Sequence, residues 1–146
     1  MSITAAVCNS FVNELGQGLH DTTVTTGDTY KIALYKSTAS LSAATTVFTV
    51  VGEITGTGYT TGGETLTNVT PTLSGSTSLY DWADVTFSAV TLSGVAGAMI
   101  YNSTNGNRAV AVLKFSSEQS PSAQDLQIEF PAVSVTTAIV RITNNG

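Results

Sequence analysis

Two nearly continuous apolar runs, Val95 to Tyr101 and Ala109 to Phe115, are joined by Asn102-Ser103-Thr104-Asn105-Gly106-Asn107, and no other feature constrains the fold as much. The runs are rich in β-branched residues, and the Asn-Gly pair between them tolerates the positive φ angles of a hairpin turn. Strands without a polar face are buried on both sides. This pair is therefore the expected central hairpin, and the rest of the chain has to cover it.

From Asp21 onward the chain consists of short β-branched and aromatic runs separated by Gly, Asn, Ser and Thr clusters. Tyr30, Ile32 and Leu34 alternate with Lys31, Ala33 and Tyr35 in a first clear strand. Val47 to Ile54 reads as the next, and Thr65 to Val69 as a weaker one ended by Pro71, which cannot donate to a central ladder. Trp82 to Val90 reads as one strand, with Ala83, Val85 and Phe87 on one side and Trp82, Asp84 and Thr86 on a wet side. Leu126, Ile128 and Phe130 alternate with Gln127 and Glu129, and Ala138 to Thr143 closes the chain. Ser37 to Thr46 and Ser116 to Gln124 are expected to be exposed excursions. The expectation is an all-β fold, a β-sandwich or barrel of about eight strands.

Ahead of these strands, Ile3, Val7, Phe11, Leu15 and Leu19 recur at every fourth position. That spacing predicts an amphipathic helix over residues 1–20, capped by Ser2 or Thr4 and ended at Gly16 or Gly18. Its narrow stripe must dock on the β domain or on a neighbouring subunit. The 146 residues fit a single domain, with the helix at 1–20 and the β domain at 21–146.

Charge is scarce: 10% of residues are Asp, Glu, Lys or Arg, against about 25% in an average soluble domain. With one His and one Cys, the usual agents of acid/base, nucleophilic and metal catalysis are almost missing. The composition points to contact, not to an enzyme, and no catalytic residue, cofactor or metal ligand is expected. A net charge of -5, with Lys31, Lys36, Arg108, Lys114 and Arg141 scattered, argues against nucleic acid as a partner. No apolar run approaches the roughly 20 residues of a membrane span, so no membrane partner is expected. The start, Met1-Ser2-Ile3-Thr4-Ala5, has no secretory-signal pattern, which makes synthesis in the cytosol the expectation. Cys8 has no second cysteine in the chain to pair with and reads as a small buried hydrophobe.

Four features invite functional readings. The glycine-rich stretch Gly52 to Gly63 lacks the Lys and the following helix of a phosphate loop, and reads as turn or bulge material. His20-Asp21 would need a serine brought in by the fold to act as a hydrolase. A polar helix end, with His20 on the last carbonyls, is the simpler reading. Asp81 and Asp84 flank Trp82 without the acidic density of a Ca²⁺ loop. Tyr59, Tyr80, Trp82 and Tyr101 are aromatics of the type that stack on sugars or anchor protein interfaces. The candidate interface residues are Ile3, Val7, Phe11, Leu15, Tyr59 and Trp82.

Five segments together carry a resemblance: Ala5-Ala6-Val7-Cys8-Asn9-Ser10-Phe11, Tyr30 to Tyr35, Gly56 to Gly63, Asp84-Val85-Thr86-Phe87 and Ala109 to Leu113. Over nearly its whole length the chain resembles small structural proteins of the virions of tailed bacteriophages, some of them capsid cement or decoration proteins. That resemblance implies a non-enzymatic virion component, made in the host cytoplasm, that stabilises the head by bridging major capsid subunits. A homo-oligomer, with a trimer as the working number, is the expected assembly. The alternative reading is a tail or fibre component whose partner is a tail protein, or a host-surface glycan or protein reached through Trp82 and exposed tyrosines.

Overall fold

The computed structural model describes residues 2–134 and 136–145. Along the chain the elements are β1 (Ala6–Val7), α1 (Asn9–Gly16), β2 (Tyr30–Lys36), β3 (Glu64–Thr65), β4 (Asn68–Ser74) and β5 (Thr77–Trp82). They continue as β6 (Val85–Val90), β7 (Val95–Asn102), β8 (Arg108–Gln119), β9 (Gln124–Ile128) and β10 (Val140–Thr143). The fold is all-β, with one short helix near the amino terminus.

The expected hairpin is the centre of the main sheet. β7 pairs antiparallel with β8 through Met99↔Val112 and Ile100↔Ala111, and its turn carries Gly106 and Asn107 at positive φ. On its other side β7 pairs with β2, where Ile32 faces Ile100 and Leu34 faces Ala98. With β1 outside β8 and β3 outside β2, the order is β1-β8-β7-β2-β3. Burial on both faces explains why β7 is apolar throughout and why Ile32, Ala33, Leu34 and Tyr35 are all buried.

The strands outside this sheet form a three-stranded sheet, β10-β5-β4, and a two-stranded one, β6-β9. Their inward side chains meet the main sheet in one aromatic core, in which Tyr30 lies 5.4 Å from Trp82 and Tyr59 lies 5.8 Å from Phe87, ring centre to ring centre. Offset aromatic pairs at such distances add about 0.5–1.5 kcal/mol beyond area burial.

Several expectations need correction. The helix covers only Asn9–Gly16, because Ala6 and Val7 pair with Val112 and Ala111 of β8, and the Cys8 amide continues that pairing onto the Val110 carbonyl. A short helix is marginal in water, and an open strand edge nearby offers these residues better-satisfied backbone bonds. Ile3 accordingly sits in a bridge with Leu41, not on a helical stripe. The helix ends as a Schellman motif: the Leu19 amide donates to the Glu14 carbonyl, the Gly18 amide donates to Leu15, and Gly18 has positive φ.

Val47 to Ile54 is no strand but a loop touching the main sheet at isolated bridges, Val47 with Arg108 and Glu53 with Tyr35. Pro71 does not end a strand at Val69. It sits inside β4, which is tolerated because β4 is the last strand of its sheet and a register shift falls between Val69 and Thr72. Trp82 to Val90 is broken at Ala83-Asp84 into β5 and β6, and Trp82 turns inward. The Ser37 to Thr46 excursion buries Ala39 and Leu41, and the Ser116 to Gln124 excursion is partly strand, since β8 runs on to Gln119.

Candidate interaction surface and the buried polar cluster

The polar residues that could do chemistry converge beneath α1. The Schellman turn folds the chain back after Leu19, so that His20 Nε2 lies 2.7 Å from Glu14 Oε2, while Arg108 Nη1 donates to Glu14 Oε1 at 2.9 Å. Asn102, fully buried at the end of β7, closes the cluster. Its Oδ1 accepts the amides of Thr104 and Asn105, each at 3.1 Å, which fixes the orientation of its side chain. Its Nδ2 then donates to Asp28 Oδ2 at 2.8 Å and to His20 Nδ1 at 3.2 Å. With Nδ1 accepting, the neutral imidazole carries its proton on Nε2, facing the Glu14 carboxylate.

This cluster is shut. The His20 side chain has no solvent exposure, and Phe11 packs on its ring at 4.7 Å. His20 meets a helix side chain, not the last carbonyls, and it does not pair with Asp21. The Asp21 carboxylate instead accepts the backbone amide and the hydroxyl of Thr23, which hold its acidity below the usual carboxylate range. The arrangement ties α1, β7, β8 and the 20–28 segment together without presenting a nucleophile to solvent.

Asp84 spends one oxygen on the Phe130 amide, and burial, followed by the charge of Asp84, raises the Asp81 carboxyl above its ordinary value. Among the described residues no group of three or more His, Cys, Asp or Glu side chains converges as a metal site would require. The glycine-rich stretch is held from within by Glu53, whose Oε1 accepts the Tyr59 hydroxyl and the Gly62 amide, both at 2.7 Å. Gly63 is forced by space and by backbone together: its φ is +78°, and a Cβ there would run into the Ile32 carbonyl.

Of the residues expected to form an interface, Ile3, Phe11 and Trp82 are buried in this chain's own core, while Val7, Leu15 and Tyr59 are partly buried against it. Trp82 also spends its ring N–H on Asn68 Oδ1 at 3.1 Å, and the Tyr59 hydroxyl serves Glu53 and the Leu34 amide. These aromatics are structural. Cys8 is buried as expected, and that burial pushes its thiol up to about 11.

The apolar side chains that reach solvent lie elsewhere. Val47, Val50 and Val51 line the loop before Glu53, and Val12 stands on the outer face of α1. On the outer sheet Leu73 is 75% exposed, the most exposed large apolar side chain among the described residues. It faces Ser78, which in turn faces Ile142, so a half-apolar row crosses β4, β5 and β10. A second feature is an open groove of about 400 Å³ between the outer part of β8 and β9, with Phe115, Leu126 and Ile128 among its walls. The Leu73 hairpin was legible as Ser74-Gly75-Ser76 between two Thr/Leu-rich runs, but Pro71 hides it when proline is taken as a strand end.

No protein-family model matches the chain, and neither a curated protein nor a solved structure shows significant similarity to it.

Proposed function

We propose that this chain is a non-enzymatic structural protein of a tailed-bacteriophage virion, and specifically a cement protein that bridges major capsid subunits on the head. One observation carries the reading: its ionisable cluster is consumed internally by Glu14, His20, Arg108 and Asn102, leaving a sparsely charged surface of hydroxyls, amides and isolated valines and leucines. Such a surface recognises a neighbour by shape, neutral hydrogen bonds and apolar contact, which salt does not screen. The whole-chain resemblance supports the virion assignment.

The mechanism is linkage. A protein that binds the assembled shell and not its dispersed subunits stabilises the shell in proportion to the logarithm of its concentration over its Kd. Assembly in the host cytoplasm as a small homo-oligomer would let each copy reach more than one capsid subunit. The tail or fibre reading loses its glycan platform, because Trp82 is 1% exposed. Stripping the protein from heads and measuring the temperature of DNA release tests the proposal: earlier release, restored on adding the protein back, is expected, and unchanged release overturns it.

A further inference from the structure

We propose that the β4–β5 arm of one molecule docks in the β8–β9 groove of a second copy, joining copies head to tail. This deepens the self-association in the reading above. It stands on separate observations and is tested without capsids, so shell binding and arm docking can fail independently.

The arm is unsatisfied in its own molecule. Leu73 projects into solvent, and β4 ends its sheet, so its outer backbone edge has no ladder partner among the described residues. From Val69 to Tyr80 the arm carries no charged residue. A protruding, uncharged edge strand with a bare leucine is an association site unless something blunts it.

The groove has complementary needs. β1 covers β8 only opposite Ala111 and Val112, and β9 pairs only with β6, so both strands that wall the groove have open outer edges among the described residues. Phe115 and Leu126 are partly buried there, ready to be covered further. Lys114 and Glu129 supply one charge of each sign, so a neutral arm can enter without stranding a net charge. The volume of about 400 Å³ lies within the ~300–1,000 Å³ of ordinary binding clefts. In cis the two do not meet, since Leu73 is not among the groove's walls and stays exposed. A second copy is the occupant because it brings the matching element in equal number, with backbone donors and acceptors to add to the open edges. Arm into groove is a heterologous contact, which propagates or closes into a ring.

Sedimentation equilibrium on three proteins tests this: the unmodified chain, Leu73→Asp, and the groove-blocked double variant Ser116→Arg with Gln127→Arg, all substituted at exposed positions. The unmodified chain should self-associate, and each variant should be a folded monomer, with association weakened about 100-fold or more. Mixed in equal amounts, the variants should form a one-to-one heterodimer, because one retains a groove and the other an arm. A monomeric unmodified chain, a variant that associates like it, or a mixture that stays monomeric overturns the proposal. Circular dichroism and urea midpoints show whether each variant is folded. If one is not, Leu73→Ser and Gln127→Glu replace the pair, with the same outcomes required.

Discussion

Asn102→Ala removes a fully buried side chain that serves the hairpin turn with one end and the segment after α1 with the other. Losing Oδ1 frees the Thr104 and Asn105 amides, which water partly re-satisfies, at about 0.5–1.5 kcal/mol each. Losing Nδ2 removes a charge-assisted bond to Asp28 and leaves buried His20 Nδ1 without its donor, at about 1–3 kcal/mol each. Neighbouring losses do not add fully, so the expected destabilisation is about 4 kcal/mol. For a urea slope near ~2 kcal/mol/M, the midpoint should fall by about 2 M with the slope unchanged. Asn105→Ala, which loses one bond to the Leu19 carbonyl, is the control and should cost about 1 kcal/mol. A loss below about 1 kcal/mol for Asn102→Ala would refute the claim that this residue locks the turn to the cluster.

Glu14→Ala should cost about 3 kcal/mol by urea denaturation, because His20 and Arg108 lose their shared acceptor; a cost below about 1 kcal/mol would make the cluster incidental. Gly63→Ala should cost more than about 2 kcal/mol, whereas Gly75→Ala, with open space around its Cβ, should cost about 1 kcal/mol; equal costs would contradict the close approach to Ile32. The Cys8 thiol is held from its ordinary 9.0 up to about 11, chiefly by burial and then by the Glu14 charge. A raised folded-state pKa contributes stability that is present below 9.0 and lost as pH rises through about 11, so Cys8→Ala should flatten that window of the stability profile. Persistence of the full alkaline decline in the variant would assign it elsewhere.

The parts of the fold legible in the sequence are those where local pattern and burial agree. β2, β7 and β8 carry apolar runs whose composition and turn chemistry ask for the same structure that packing provides. The errors arise where tertiary pairing overrides local pattern. Val7 fits a helical stripe, yet the open edge of β8 recruits it into β1. Pro71 reads as a stop, yet a last strand with a shifted register accommodates it. Trp82 alternates with Asp84 and Thr86 as though exposed, but the break at Ala83-Asp84 frees it to turn onto Tyr30. The cluster joins residues up to 94 positions apart, Glu14 and Arg108, and no local spacing announces such a contact. The absence of charge elsewhere was its indirect sign: a chain with few ionisable groups had placed Glu14, His20 and Arg108 together inside.

Co-sedimentation of the purified protein with emptied phage heads, at low salt and at 1 M salt (a Debye length of about 3 Å), tests the central claim most directly. Binding by a neutral surface predicts saturable retention at a fixed number of copies per head, nearly equal at both salt concentrations. Failure to bind heads at either concentration, or binding that vanishes at high salt, contradicts it.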